Sequence, residues 1–372
     1  MSVLISGASM AGLSLAYWLD ALGEDVVVVE RAPALRRAGS PIDVRGEALD
    51  VAARMGILDE LRARRVISSD RTAFTTWVDR DGAPVAVLPA EAATDSADDV
   101  EIARDRLVDL LHEAIGARVE FRYGDHIDAA SDEGSSVRVR FASGAEQRFD
   151  HLVGADGIHS GVRRATFGPE SDYRHHLGVY FAIVDLPRGA GTPHESLTYN
   201  TPGRMYCITD YGDRTLGYLA FRAPELTYDH RSVEAQKAVI LSELRGETGW
   251  QVPLLLDAVR EAEDLYFDSV SQVRMTGWAR GRIVLAGDAA HAAALFSGRG
   301  TSLAMLGAYF LAEELRRADG DHATAFTRYE QRLRPYVERA QAGVPETRDF
   351  MVPATAGDLA ARNLRFAVEA SR

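Results

Sequence analysis

Within the first thirty positions the spacing of apolar residues changes twice. Val3 to Ile5 is an unbroken apolar run ending at Ser6, Gly7 to Gly12 is glycine-bearing, and Leu13 to Leu22 carries apolar residues at helical spacing before Gly23. Asp25 to Glu30 is then a β-branched run. That order predicts a buried strand, a tight turn, a helix and a second strand, a βαβ unit of about 30 residues. Spacings of three and four return from Gly46 to Arg64 and from Arg104 to Ile115, predicting one helix over each span. Between Val119 and Val153 the pattern alternates, with turn signals at Asp132-Glu133-Gly134 and Ser143-Gly144, so a β-meander is expected.

Alternation dominates from Tyr173 to Arg222. Leu177 to Leu186, Glu195 to Tyr199, Met205 to Asp210 and Leu216 to Arg222 read as strands of an antiparallel sheet, separated by Pro202-Gly203 and Tyr211-Gly212-Asp213. Helical spacing resumes from Val233 to Leu244. A strand from Arg282 to Ala286 and a long apolar helix from Thr301 to Arg317, stopped by Gly320, complete the pattern. The fold class expected is α/β, a discontinuous Rossmann-like domain with an inserted antiparallel sheet and C-terminal helices. Residues 1–72, 100–170 and 275–320 would form the first domain, 73–99 and 171–274 the second, and 321–372 the terminal helices.

Composition agrees with two domains of about 150 residues each, since the chain has 372 residues, 46% hydrophobic and 26% charged. Asp and Glu outnumber Lys and Arg by 55 to 42, giving a formal charge of −13. Nucleic acid and anionic membrane surfaces, which are bound through clustered Lys and Arg, are therefore not the expected partners. No run of about 20 apolar residues predicts a transmembrane helix, and no basic segment precedes Val3 to suggest a secretory leader. Cys207 is the one cysteine, so disulfides within the chain are excluded and a cytoplasmic location is expected. The basic side is lopsided, because Lys237 is the only lysine.

Three motifs carry chemistry. Gly7-Ala8-Ser9-Met10-Ala11-Gly12 is a variant of the dinucleotide fingerprint, with Glu30 ending the next strand about 20 residues on. Gly7 permits the turn, Gly12 permits close helix packing, and the helix N-terminus offers N–H groups to a pyrophosphate. Ser9 replaces the middle glycine with a small hydrogen-bonding side chain. Glu30 would accept hydrogen bonds from a ribose 2′-hydroxyl and repel a 2′-phosphate, which favours FAD or NAD over NADP in this pocket. A ligand-free glycine turn and a serine nucleophile elbow are competing readings, the elbow weakened because Ser9 has no earlier strands to supply an oxyanion hole. The second motif is Gly154-Ala155-Asp156-Gly157-Ile158-His159-Ser160-Gly161-Val162-Arg163. The third is Gly287-Asp288-Ala289-Ala290-His291, followed by Phe296-Ser297-Gly298-Arg299-Gly300-Thr301-Ser302. No metal site is expected, since His175 and His176 are strand neighbours that face opposite ways.

In this order the three motifs resemble those of the single-component FAD-dependent aromatic hydroxylases, the p-hydroxybenzoate hydroxylase-like flavoprotein monooxygenases that include tetracycline-degrading and polyketide-tailoring members. The resemblance runs to about residue 340 and implies a GR2-type FAD-binding domain. It implies that Gly7, Ser9 and Gly12 hold the FAD pyrophosphate, that Glu30 and Arg31 take the adenosine end, and that Arg104 lies near the pyrophosphate and ribityl chain. Asp288 would accept from the ribityl hydroxyls, and Asp156 belongs to a motif associated with both FAD and the nicotinamide cofactor. Gly298 and Gly300, opening the long helix, would turn backbone amides toward the negative edge of reduced flavin, with Arg45 near the same edge.

The implied reaction uses NADPH or NADH to reduce FAD. O2 captured as a flavin C4a-hydroperoxide would then hydroxylate a planar aromatic or polyketide-like small molecule in secondary metabolism. Phe181, Tyr206, Tyr218 and Arg222 are candidate substrate contacts, and no catalytic base is assigned. His291 is read either as packing and hydrogen-bonding beside the cofactor or as handling protons. One departure stands out: the family has a proline before the Ser-Gly-x-Gly turn, and Leu295 is there instead. A flavin dehydrogenase or oxidase of the same fold, or a non-catalytic FAD-fold binding protein, therefore remains an alternative. A flavin halogenase fits poorly, because Trp18, Trp77, Trp250 and Trp278 form no Trp-x-Trp element and the one lysine lies outside the FAD domain.

Overall fold

The structure is a computed structural model and describes residues 1–35, 40–66, 73–92 and 94–367. In chain order the first half contains β1 (Ser2–Ser6), α1 (Met10–Ala21), β2 (Asp25–Glu30), β3 (Ile42–Val44), α2 (Glu47–Arg54), α3 (Leu58–Ala63), β4 (Ala73–Val78), β5 (Pro84–Pro89), β6 (Val100–Ile102), α4 (Arg104–Ala114), β7 (Glu120–Tyr123), β8 (Ile127–Asp132), β9 (Val137–Phe141), β10 (Glu146–Phe149), β11 (His151–Gly154) and α5 (Gly161–Thr166). There follow β12 (Arg174–Leu186), β13 (Ser196–Thr201), β14 (Arg204–Asp210), β15 (Thr215–Arg222), α6 (Val233–Glu243), α7 (Val252–Glu261), β16 (Tyr266–Val273), β17 (Ala279–Arg280), β18 (Ile283–Leu285), α8 (Asp288–His291), α9 (Gly300–Arg317), α10 (His322–Ala342), α11 (Val344–Met351) and α12 (Ala356–Arg365).

These elements form two units. The first comprises Met1–Arg65, Asp99–His175 and Ser271–Gly343; the second comprises Val66–Asp98, His176–Val270 and Val344–Arg372. The helical block expected at 321–372 is therefore divided. Ala325, Phe326, Tyr329, Leu333 and Val337 of α10 are buried in the first unit's core. A methyl group added at Gly307 of α9 would lie 2.8 Å from Leu333, so the two helices cross closely. Beyond Gly343 the chain belongs to the second unit.

The first unit is built on a six-stranded sheet in the order β17-β18-β11-β1-β2-β7. All its pairs are parallel except the edge pair β17–β18. Val3, Leu4 and Ile5 have no exposed surface, because helices cover both faces of a parallel sheet and the strands are correspondingly apolar throughout. This explains one correction. The meander expected over 119–153 supplies only β8, β9 and β10 to a separate three-stranded antiparallel sheet. β9 alternates buried and exposed, whereas β11 is buried at every position and joins the parallel sheet. The single helix expected from Gly46 to Arg64 is also two, α2 and α3, separated at Gly56, whose φ of +74° ends the first.

The second unit is built on a sheet in the order β16-β12-β15-β14-β13-β4-β5. The pairs β12–β15, β15–β14, β14–β13 and β4–β5 are antiparallel, and β13–β4 is parallel. Ala182, Tyr206, Leu219 and Phe221 on one face pack with Ile240 and Leu244 of α6 and Leu255 and Val259 of α7. At the β4–β5 end Trp77 and Leu88 pack with Phe350 and Phe366. The hairpin β4–β5, the helix α7 and the strand β16 are additions to the expected elements. Among the described residues no helix is long and apolar enough to cross a membrane.

Candidate active site

β1 delivers Gly7 to a turn that no other residue type could make. Its φ is +105°, its N–H donates to the Val29 carbonyl over 2.8 Å, and an added Cβ would lie 2.5 Å from the Ala155 carbonyl oxygen. At Gly12 an added Cβ would lie 1.9 Å from the Gly7 carbonyl oxygen, so α1 starts directly against the turn. Ser9 is the N-cap of α1 in extended conformation, and its side chain makes no capping bond. Glu30 closes the turn from the neighbouring strand: its carboxylate accepts from the Ala8 N–H (2.9 Å) and the Ala32 N–H (2.8 Å). Each oxygen keeps a further lone pair. Arg31, next along, is exposed.

The second and third motifs meet this turn from adjacent strands. Ala155 follows β11 and lies under Gly7, while Gly287 follows β18 and has φ +58°, with space for a Cβ only 2.8 Å from Ala11 of α1. The ends of β18, β11 and β1 thus converge at the point where the chain crosses from one side of β1 to the other. This is the crevice in which open α/β sheets bind ligands. Asp156 serves the turn inwardly: it accepts from Ser160 Oγ (2.5 Å), Gly161 N–H (2.8 Å) and Val162 N–H (3.1 Å), organising the start of α5. Burial raises its carboxyl above the ordinary aspartate value against the opposing pull of those hydrogen bonds. Asp288, the first residue of α8, is exposed.

Arg163, which sequence reasoning passed over as part of a motif, ties the second motif to the third. Its guanidinium is fully buried and donates to the carbonyls of Ala289 (2.9 Å) and Ile158 (2.5 Å). Glu170 balances it at 3.6 Å and also pairs with His159 and Arg174. Burial alone would raise Glu170; the His159 hydrogen bond and the charges of His159, Arg174 and Arg163 outweigh it and bring the carboxyl down to about 2.

The remaining cofactor candidates occupy two places. Arg104 opens α4 directly after β6, and Arg45 follows β3. Because β3 and β6 run antiparallel with Asp43 opposite Glu101, the two arginines stand at opposite ends of that ladder. Arg45 is brought instead to the start of α9: its N–H donates to Ser302 Oγ (2.9 Å), and its guanidinium pairs with Asp43 (2.9 Å). Gly298 is left-handed at φ +59°, and Gly300 is the first residue of α9. Ala294 before them also has positive φ, +78°, and Leu295 is 41% exposed. His291 is buried against Trp278 with ring centroids 4.7 Å apart, and burial lowers its pKa to about 3. That favours packing over proton handling.

Comparison with known proteins decides what this arrangement belongs to. The FAD binding domain family matches residues 1–343. The chain is a flavin-dependent monooxygenase of that family. It is 40% identical over 345 residues to an uncharacterized protein of Mycobacterium tuberculosis, covering 91% of each chain. It is 34% identical over 357 residues to a flavin-dependent monooxygenase of Legionella longbeachae, covering 95% of this chain and 90% of that one. Among solved structures, the tetracycline destructase Tet(51) superposes with a TM-score of 0.85 at 30% identity, covering 98% of this chain and 95% of its own.

The monooxygenase's residues fit FAD. The turn at Gly7 and Gly12 leaves no room for side chains, helix N-termini open on it, Glu30 flanks it, and Asp288 presents an exposed carboxylate. The four substrate candidates do not share one surface. Phe181 and Tyr218 lie on one face of the second unit's sheet with their rings 6.0 Å apart, and the Tyr218 hydroxyl meets that of Tyr211 at 2.7 Å. Tyr206 pairs in register with Leu219 and has no exposed surface on the opposite face, packed over α6 and α7. It is therefore a core residue of the monooxygenase, and the expectation that it contacts substrate is corrected. Arg222 is likewise committed, donating to the Val352 carbonyl (2.7 Å) and to Asp349 (2.5 Å). Residue type suggested these four; the alternating face along each strand, visible in the sequence, separates them.

Proposed function

We propose that this FAD monooxygenase uses NADPH or NADH and O2, in the cytoplasm, to place one oxygen atom on a planar, largely apolar aromatic or polyketide-like molecule. The observation that carries this reading is the convergence of three motifs at the ends of β1, β11 and β18, where Gly12 abuts the Gly7 carbonyl, Gly7 abuts Ala155 and Gly287 abuts Ala11. Likeness to the tetracycline destructases at 30% and 34% identity supports a multi-ring substrate. Absence of membrane-length helices among the described residues, together with the lone Cys207, supports the location.

In this reading Gly7, Ser9 and Gly12 hold the FAD pyrophosphate against the N-terminus of α1, with Glu30 and Arg31 at the adenosine end. Arg104 adds positive charge near the pyrophosphate, and Asp288 accepts from the ribityl hydroxyls. Asp156 and Arg163 hold the turns rather than touch the cofactor: the Asp156 carboxylate accepts three hydrogen bonds, and the buried Arg163 guanidinium donates to Ala289 and Ile158. Gly298, Gly300 and Arg45 face the flavin ring, and Phe181 and Tyr218 offer apolar surface to the substrate. FAD, when bound, supplies electron transfer from the reduced nicotinamide and the activation of O2. The protein's part is to orient the substrate and exclude water.

Purified protein should carry FAD and show NADPH or NADH oxidation that tetracycline or another planar aromatic stimulates, with a product one oxygen atom heavier by mass spectrometry. Stimulated oxidation without oxygen in the product would favour a dehydrogenase or oxidase. Asp288→Ala should purify with much less FAD while its FAD-free form melts as the wild-type apoprotein does, and full retention would remove the ribityl role.

A further inference from the structure

The start of α9 is held by a pair of charges that the motifs do not include. Asp43, in the middle of β3, pairs with the Arg45 guanidinium at 2.9 Å. The Arg45 N–H donates to Ser302 Oγ at 2.9 Å, and Ser302 Oγ donates back to the Asp43 carbonyl at 3.4 Å. The pair reaches the glycine turn itself. A methyl group added at Gly298 would lie 3.6 Å from Asp43 Oδ2 and 3.8 Å from the Arg45 guanidinium carbon. Carboxylate, guanidinium, Ser302 and the left-handed turn therefore form one connected cluster in the first unit.

We propose that Asp43 is a positioning residue: its carboxylate fixes the Arg45 guanidinium at the Gly298 turn and sets how much positive charge remains there for an anionic, reduced flavin. The inference rests on the proposed placement of FAD at this turn. An ionised Asp43 neutralises part of Arg45 and makes reduction of a neighbouring flavin less favourable; a neutral Asp43 leaves the full positive charge. Burial raises the Asp43 carboxyl above the ordinary aspartate value, with Arg45 opposing, Asp99 adding and Arg299 opposing. Glu101, opposite Asp43 in the β3–β6 ladder, is the further charged neighbour by position. Ser302 and the α9 N-terminus contribute no titrating group. Among these acids Asp43 is the one paired directly with Arg45, so its charge is the one the turn's arginine meets first.

The test is the reduction potential of the bound flavin, measured on the FAD-loaded full-length protein across about pH 5.5 to 8. Asp43→Asn should favour the reduced flavin about tenfold at the alkaline end, about 30 mV for a two-electron couple. Asp43→Glu, which keeps the charge, should stay near the wild-type potential, and Arg45→Gln should shift it in the opposite direction. In the double variant the effect of Asp43→Asn should largely vanish, because its partner is gone. Asp43→Ser gives the same reading where the asparagine variant does not fold. Neutral variants that hold FAD at the wild-type potential across this range overturn the inference, as does a glutamate variant that shifts as the neutral ones do. Wild-type protein that binds no FAD overturns the cofactor placement instead.

Discussion

At Gly12 an added methyl group would lie 1.9 Å from a backbone carbonyl oxygen, while at Gly300 it would meet nothing within 4 Å. The two glycines therefore answer different demands. Gly12→Ala must push α1 off the turn, so both melting temperature and FAD content should fall. Gly300→Ala meets no atom of the described residues, and its apoprotein should melt within about 2 °C of the wild-type apoprotein, as for a surface change of under about 0.5 kcal/mol. If the flavin approaches α9 closely, FAD affinity should nevertheless fall in Gly300→Ala. Titration of the apoprotein with FAD separates the cases, and an alanine at 300 with wild-type affinity would place the ring elsewhere. His151 sets a second residue-level expectation. Burial, reinforced by the charges of His322 and Arg282 and opposed by Asp150, lowers its pKa to about 4. The unfolded chain titrates this imidazole near 6.5, so between those values the unfolded state binds more protons and stability rises with pH. Acidification from pH 7.5 to pH 5 should cost roughly 2 kcal/mol through His151 alone. Urea unfolding of His151→Gln at both pH values should show that much less acid sensitivity, and equal sensitivity would refute the assignment.

Elements were legible where one period ruled a segment. β1, α1 and β2 fall on their expected spans within a few residues, as do the strands β12 to β15, because each buries a face of fixed period. The misreadings have physical causes. Gly56 interrupts a continuing helical spacing by backbone conformation alone, which periodicity does not register. β11 looked like part of a meander because its burial on both faces comes from partners distant in sequence, β1 and β18. The site divides in the same way. Glycines and acids in motifs could be read, whereas Asp43 pairs with nearby Arg45 but meets Ser302 and the Gly298 turn only through the fold, and Arg163 reaches the Ala289 carbonyl across a tertiary contact. Strand parity was readable but unused. It makes Phe181 and Tyr218 neighbours and puts Tyr206, whose buried hydroxyl has no hydrogen-bond partner among the described residues, on the other face. Tyr206→Phe should leave KM unchanged and keep or raise stability, since it removes an unsatisfied buried polar group worth about 1–3 kcal/mol. Phe181→Ala should raise KM more than it lowers kcat. A Tyr206→Phe variant with altered KM would reverse the assignment of faces.

At the scale of the whole molecule, the family match and the first unit both end at Gly343, and the remaining chain completes the second unit. What the chain does there is specific. Gly203 N–H donates to the Pro353 carbonyl (2.7 Å), and Asn200 donates to the Met351 carbonyl (3.0 Å). Val87 N–H donates to the Phe366 carbonyl (2.9 Å), and a bridge joins Ala86 to Ala367 along the outer edge of β5. The segment thereby covers an edge strand that would otherwise offer unpaired backbone groups to other chains. Arg362 is buried and sits 4.2 Å over the Trp77 ring, accepted by Asn200 Oδ1 and the Phe350 carbonyl. Phe350 packs edge-on against the same tryptophan at 5.5 Å. Removing a fully buried phenylalanine costs about 3–5 kcal/mol, and a half-buried one such as Phe350 costs part of that, set against the roughly 5–15 kcal/mol that holds a domain folded. Phe350→Ala should therefore lower the urea midpoint markedly while Asp288 and the Gly7 turn, in the other unit, still bind FAD. A chain ending at Gly343 loses Phe350, Arg362 and Phe366 together, exposes Trp77 and uncovers β5. It should aggregate or melt far below wild type, and a soluble 1–343 protein with unchanged melting temperature would show that the family match marks the whole cooperative fold.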